Sequence, residues 1–159
     1  MTFQPGSPEE AIYYAVSETF ENLVFEEVVI DKITDNEMPH IDSDAWWAGI
    51  ELFPPPIAGE IALIVPDVLM NKFTEATLGL GSALPSEAEN ADDLGELLNT
   101  LSGRLLAMRV SPDQIYKIGL PRSGRGDIFP ANNLEYKLVD CLVGDDHIYL
   151  MVPSKFWAL

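Results

Sequence analysis

The segment Asp92-Asp-Leu-Gly-Glu-Leu-Leu-Asn-Thr-Leu-Ser-Gly-Arg-Leu-Leu-Ala-Met-Arg109 has the apolar rhythm of a helix lying on a sheet. At about 100° per residue, Leu94, Leu97, Leu98, Leu101, Leu105 and Met108 fall within an arc of about 100°. This is the stripe that a core-facing helix presents. On the opposite side, Asp92, Glu96, Asn99 and Gly103 gather within about 60°, as neighbours spaced three and four residues apart do. Solubility alone does not account for that outer stripe. Asn is a mediocre helix former, and Gly in a helix interior costs about 1 kcal/mol relative to Ala. Gly103 also points away from the apolar stripe, so it does not read as a close-packing position.

Working outward, the flanking segments supply a sheet for this helix to cover. Before it, Ser7-Pro8-Glu9-Glu10 opens a first helix with a Ser cap, Pro at the first position and Glu at the third. That helix is expected to run to residue 23 or 25, with Ile12, Val16, Phe20 and Leu23 on one face. Strand patterns follow at 26–34, 45–53 and 59–65, separated by the turn residues of 35–39 and by Pro54-Pro55-Pro56. The last of these strands becomes wholly apolar (Ile61, Leu63, Ile64, Val65), as at a sheet centre. Pro66 and Asp67 start a helix over 68–78 that closes at Gly79. An acidic loop is expected over 81–91, with Asp92 or Asp93 capping the central helix. After it come strands at 114–120, 134–143 and 147–152, the last two joined by Gly144-Asp145-Asp146.

Short connections between the strands favour antiparallel pairing. The expected architecture is α+β, with helices over one face of a six-stranded, mainly antiparallel sheet, in one domain spanning 1–159. The element order also divides into two helix–three-strand units, 7–65 and 92–152, without a clear sequence repeat.

Composition excludes several function classes. A net charge of −17 argues against nucleic acid and against an anionic membrane surface as partners. No apolar run approaches the roughly 20 residues that span a bilayer, and the N-terminus has no signal-peptide pattern. The single cysteine, Cys141, lies in an apolar run and reads as a buried thiol of a reduced, cytoplasmic compartment. His40 and His147 have no second His or Cys at ligand spacing, so no zinc motif is present. The surroundings of Ser123 lack a nucleophile elbow, and Gly124-Arg125-Gly126 lacks the ending of a phosphate loop. It reads as a basic turn. Trp46 and Trp47, adjacent on a strand, must point to opposite faces. One is expected in the core, the other buried at an edge or in a dimer contact.

The pattern Asp92-x3-Glu96-x2-Asn99, followed by Gly103 and, after 21 residues, by Pro121, resembles the motif of the CheC/CheX/FliY family of chemotaxis phosphatases. The element order resembles that family along nearly the whole chain. The resemblance implies a fold of pseudo-symmetric halves with two long helices on the sheet, and a homodimer of the CheX kind. It also implies a substrate, the aspartyl phosphate of a response-regulator receiver domain such as phosphorylated CheY. Asn99 would hold the attacking water and Glu96 would pair with the receiver's lysine. Gly103 would admit the receiver backbone, Asp92 would cap the helix beside it, and Pro121 would shape the adjoining loop. Mg²⁺ would come with the receiver, leaving this chain with no cofactor or metal of its own. In family members with two sites the first helix carries a second Glu-x-x-Asn. Here Thr19 stands three residues before Asn22 and Glu18 four before it, so that motif is broken and one site is expected. A module that docks a receiver without catalysis, using the same helix face, is the alternative reading. A subunit that only dimerises through a sheet edge is a third.

Overall fold

The structure is a computed structural model that describes residues 2–55, 58–81, 83–126 and 135–159. Three α-helices, α1 (Pro8–Val24), α2 (Asp67–Leu78) and α3 (Glu87–Arg109), lie on one face of a seven-stranded sheet. The strands are β1 (Val28–Asp35), β2 (Trp46–Phe53), β3 (Gly59–Val65), β4 (Lys117–Ile118), β5 (Arg122–Arg125), β6 (Tyr136–Val143) and β7 (Asp146–Pro153), and a 3₁₀ turn, Ser154–Ala158, follows. The strand order is β1-β6-β7-β3-β2-β4, with β5 also pairing with β2. Every pairing among the described residues is antiparallel. The α+β class therefore stands, and the expected count of six strands becomes seven.

The extra strand comes from the segment read as one strand over 114–120 and a basic turn. Only Lys117–Ile118 of the former pairs with β2. The supposed turn forms β5, whose Gly124 sits opposite Trp47. A Cβ at Gly124 would lie 2.7 Å from the Trp47 ring. Gly inside a strand marks such a close approach, which a turn reading overlooks. Trp47 is accordingly covered by the edge strand β5, the edge burial expected for one of the two tryptophans. It is buried with Ala45, Ala62, Ile64, Leu138 and Met151 on the face away from the helices, and the Arg122 guanidinium lies 5.8 Å from its ring. Trp46 points the other way, into the main core. Leu134, expected to open the fifth strand, and Pro56 lie outside the described residues.

Alternation along the strands builds that core. Ala48, Ile50 and Leu52 of β2, Ile61, Leu63 and Val65 of β3, and Val139, Cys141 and Val143 of β6 face the helices, as period-2 geometry requires. α1 contributes Ile12, Val16 and Phe20, and α2 contributes Leu69, Met70 and Phe73. The Phe20 and Phe73 rings stack with centroids 4.8 Å apart. Burial pushes the Cys141 thiol up to about 12, which fits an inert core residue. No helix among the described residues is long and apolar enough to cross a membrane.

Candidate functional site

α3 begins at Glu87, five residues before the expected cap (87 against 92). Ser86 is the cap: its hydroxyl accepts from the Glu89 N–H, and the Glu89 carboxylate accepts from the Ser86 N–H. This reciprocal capping box satisfies two otherwise orphaned donors. Residues 87–91, expected in a loop, are thus helical, and neither Asp92 nor Asp93 caps anything. Both lie in the second turn.

The inner side of α3 is held from three directions, which widens the buried arc beyond the expected apolar stripe. Towards α2, the Thr74 hydroxyl donates to Asp93 Oδ2 at 3.2 Å and the Asn90 amide donates to Asn71 Oδ1 at 2.8 Å. Towards α1, Arg104 Nη1 donates to Thr19 Oγ1 at 2.7 Å and faces Glu18 at 3.7 Å. Towards β5, the Ser123 hydroxyl donates to the Ala91 carbonyl, and Arg125 bridges Glu87 and Asp67 across the face of Trp46. Arg125 is therefore a structural tie of the helix start, where the sequence suggested a basic turn. Gly95, Ser102 and Leu106 are consequently buried, whereas Met108, expected in the core, is 44% exposed. It borders a recess beside Gly6, Ser7 and Tyr14 at the far end of the helix.

The outer stripe stands as the sequence placed it. Asp92, Glu96 and Asn99 are all exposed and Gly103 is half-buried. The bonds that anchor α3 use Asn90, Asp93, Arg104 and Arg109 instead. Glu96 and Asn99 therefore project from a firmly held helix, and among the described residues nothing bonds their side chains. With a rise of about 1.5 Å per residue, they sit about 4.5 Å apart along its axis. A Cβ at Gly103 would meet nothing within 4 Å, so packing within the chain does not require a glycine there.

Pro121 joins the site through a residue that sequence reasoning missed. A Cβ at Gly95 would lie 3.2 Å from Pro121 Cγ. The glycine lets the proline rest on the helix one turn before Asn99. The nearly fully exposed Leu120 stands next to it.

On α1 the corresponding stripe is closed. Thr19 is buried, donating to the Ala15 carbonyl and accepting from Arg104. Glu18 and Asn22 are exposed, but Glu18 faces Arg104. Where a second motif would need a free carboxylate, the chain has a hydroxyl already bonded on both sides.

Asp93 is a buried carboxyl near the site. Burial, above all, raises its pKa above the ordinary carboxylate value; hydrogen bonds from Thr74 and Thr77 oppose this, and Glu96 adds to it. A carboxyl whose folded pKa lies above its unfolded one contributes stability at low pH that is lost as pH rises through the folded value. Asp93→Asn keeps an acceptor for Thr74 and removes the charge. The variant is expected to unfold at a higher temperature than wild type at neutral pH. Thermal unfolding between about pH 4 and pH 8 should show the difference shrinking as pH falls.

No family model and no curated protein matches this chain by sequence. Solved structures do match it. The chemotaxis protein CheX from Vibrio vulnificus superposes with a TM-score of 0.74 at 12% identity, covering 92% of this chain and 97% of that one. The chain has the fold of the CheX, CheC and FliY chemotaxis proteins. A CheC-like superfamily protein from a Shewanella species superposes equally well, at 0.74 and 14% identity over 95% of this chain and 98% of that one. CheX from Borrelia burgdorferi, in a complex with CheY, BeF₃ and Mg²⁺, matches at 0.67 and 13% identity over 92% of this chain and 97% of its own. The fold shared with CheX extends over nearly the full chain in each comparison.

Proposed function

We propose that the outer stripe of α3 is one half of an active site that hydrolyses the aspartyl phosphate of a response-regulator receiver domain. The observation that carries this reading is the uncommitted Glu96–Asn99 pair on a helix fixed from three sides, on a fold shared with CheX. The stripe has no nucleophile, so the attacking oxygen must be water. The Asn99 amide can accept from that water and donate elsewhere at once, holding it in line with the phosphorus. The water oxygen bonds to phosphorus, the bond from phosphorus to the aspartyl oxygen breaks, and inorganic phosphate leaves. Phosphoryl transfer of this kind is mostly positioning and charge stabilisation. Mg²⁺ and a lysine are the receiver's contribution.

Glu96 pairs with that lysine and sets the docking register. At about 4 Å and an effective dielectric near 20, such a pair gains about 4 kcal/mol before desolvation costs. Gly103 leaves room for the receiver backbone one turn beyond Asn99. Asp92, on the same helix, and Pro121, packed against it at Gly95, border the contact. The strand order supports the pseudo-symmetric halves of this reading: exchanging β1, β2 and β3 for β4, β6 and β7 turns β1-β6-β7-β3-β2-β4 into its own reverse.

Gly103 gives a test in which stability and activity part company. Gly103→Ala is expected to stabilise the helix by about 1 kcal/mol, because the added methyl meets open space. The same methyl should slow receiver dephosphorylation by crowding the approach. Denaturant titration and phosphate-release rates on the same sample measure the two. A variant that is more stable and equally active removes Gly103 from the docking surface.

A further inference from the structure

On the opposite side of the sheet, three neighbouring strands bring Asp31 of β1 beside Asp140 and His147 of the β6–β7 hairpin. Val139 and Cys141 of β6 face the helices, so Asp140 points the other way. Ile148 and Leu150 of β7 do the same for His147. On β1 the register slips between Ile30 and Lys32, which pair with Cys141 and Asp140. Asp31 is the extra residue of this bulge. Bulges re-aim side chains and often occur beside functional sites.

One ligand atom from each of Asp31, Asp140 and His147 lies within 4.8 Å of the others. His147 Nδ1 and Asp140 Oδ1 are 2.7 Å apart. The Asp140 side chain is only 9% exposed, and a buried carboxylate is costly unless it is paired. Among the described residues no lysine or arginine pairs with it; the neighbouring Lys32 is turned to Glu37. Beside the cluster a cavity of about 260 Å³ is lined by His40, Asp42, Asp146, His147 and Tyr149, ample room for water ligands.

We infer that Asp31, Asp140 and His147 form a binding site for a divalent transition-metal ion, separate from the α3 face. A mixed imidazole and carboxylate set suits Zn²⁺ or Mn²⁺ better than Mg²⁺, which takes oxygen ligands. The cation binds His147 Nδ1 and Asp140 Oδ1 in place of the hydrogen bond between them, and any proton displaced from the pair leaves to solvent. With tetrahedral bonds of about 2.1 Å, ligand atoms stand about 3.4 Å apart, so His147 and Asp140 open from 2.7 Å while the exposed Asp31 side chain closes on the ion. No spacing along the chain announces the site, because its ligands come from three strands.

The test is calorimetric titration of the chelator-treated protein with ZnCl₂ and, separately, MnCl₂. One saturable equivalent per chain at micromolar concentration is expected, tighter for Zn²⁺. His147→Gln and Asp140→Asn should each weaken it by about ten-fold or more. Asp140 is buried, so Asp31→Asn on the exposed bulge provides a variant that keeps the fold and should also weaken binding. Glu96→Gln, on the other face, should leave it unchanged. Absence of saturable binding overturns the inference. So does weak binding of several equivalents, which marks only an acidic surface, and so does tight binding that Asp31→Asn and His147→Gln both leave intact.

Discussion

Asn99→Ala is expected to slow assisted dephosphorylation of a receiver domain by about 100-fold or more, the usual scale for losing one oriented catalytic group. The side chain is exposed and takes no part in anchoring α3, so the variant should fold as wild type and unfold at the same temperature or slightly above it. Affinity for a beryllofluoride-activated receiver should be largely retained, because the lost amide acts on the water and not on the docking surface. Glu96→Ala separates the two roles from the other side. It removes the charge that pairs with the receiver's lysine, so affinity and rate should both fall. Phosphate release under single turnover gives the rate, and titration with the activated receiver gives the affinity. Equal losses of rate and affinity in both variants would mean that the stripe only docks.

Trp46→Ala is expected to lower stability by about 3–5 kcal/mol, the range for deleting a large buried aromatic. Trp46 is 2% exposed in the main core. Its indole N–H donates to Asp67 Oδ1 at 2.9 Å, and the Arg125 guanidinium lies 4.9 Å from its ring. Arg125 in turn holds Glu87 at the start of α3, so this loss should also loosen the helix that carries the site. The neighbouring tryptophan makes a sharp comparison. Among the described residues Trp47 Nε1 is buried without a hydrogen-bond partner, so Trp47→Phe discards an unsatisfied donor and should cost less than the same change at Trp46. Trp46→Phe leaves Asp67 without its indole donor and should cost about 1 kcal/mol. Denaturant unfolding of the four single variants, Ala and Phe at each position, measures these differences.

The parts of the molecule legible in the sequence are those set by local periodicity. The apolar repeat from Leu94 to Leu105 placed α3 against the core, and the same arithmetic put Glu96, Asn99 and Gly103 on its outer side, where the structure has them. Ser7-Pro8-Glu9-Glu10 gave the start of α1 for an equally local reason, a cap that bonds three residues ahead. Ser86-x-x-Glu89 carries the same signal at the start of α3. It was obscured by the acidic, Ala- and Ser-containing composition around it, which reads as loop. What periodicity could not supply was anything that depends on pairing. β5 is recognisable only once Gly124 is seen to admit Trp47. The role of Gly95 appears only when Pro121 is placed against it. Thr19 looked like a simple break in a motif, and its bond to Arg104 explains why α1 presents no free carboxylate there. Asp31, Asp140 and His147 meet through strand register and a bulge, which no spacing rule along one chain can express.

The central claim concerns what the α3 stripe does to a phosphorylated receiver, and the most direct measurement is the decay of the phosphoryl group itself. Each phosphorylated receiver domain from the same organism is incubated with and without this protein, and phosphate release is followed over time. The account predicts that at least one receiver loses its phosphate faster in the presence of the wild-type protein, and that Asn99→Ala abolishes the acceleration. If a beryllofluoride-activated receiver binds this protein while every phosphorylated receiver decays at its unassisted rate, the stripe is a docking surface and the phosphatase reading is wrong.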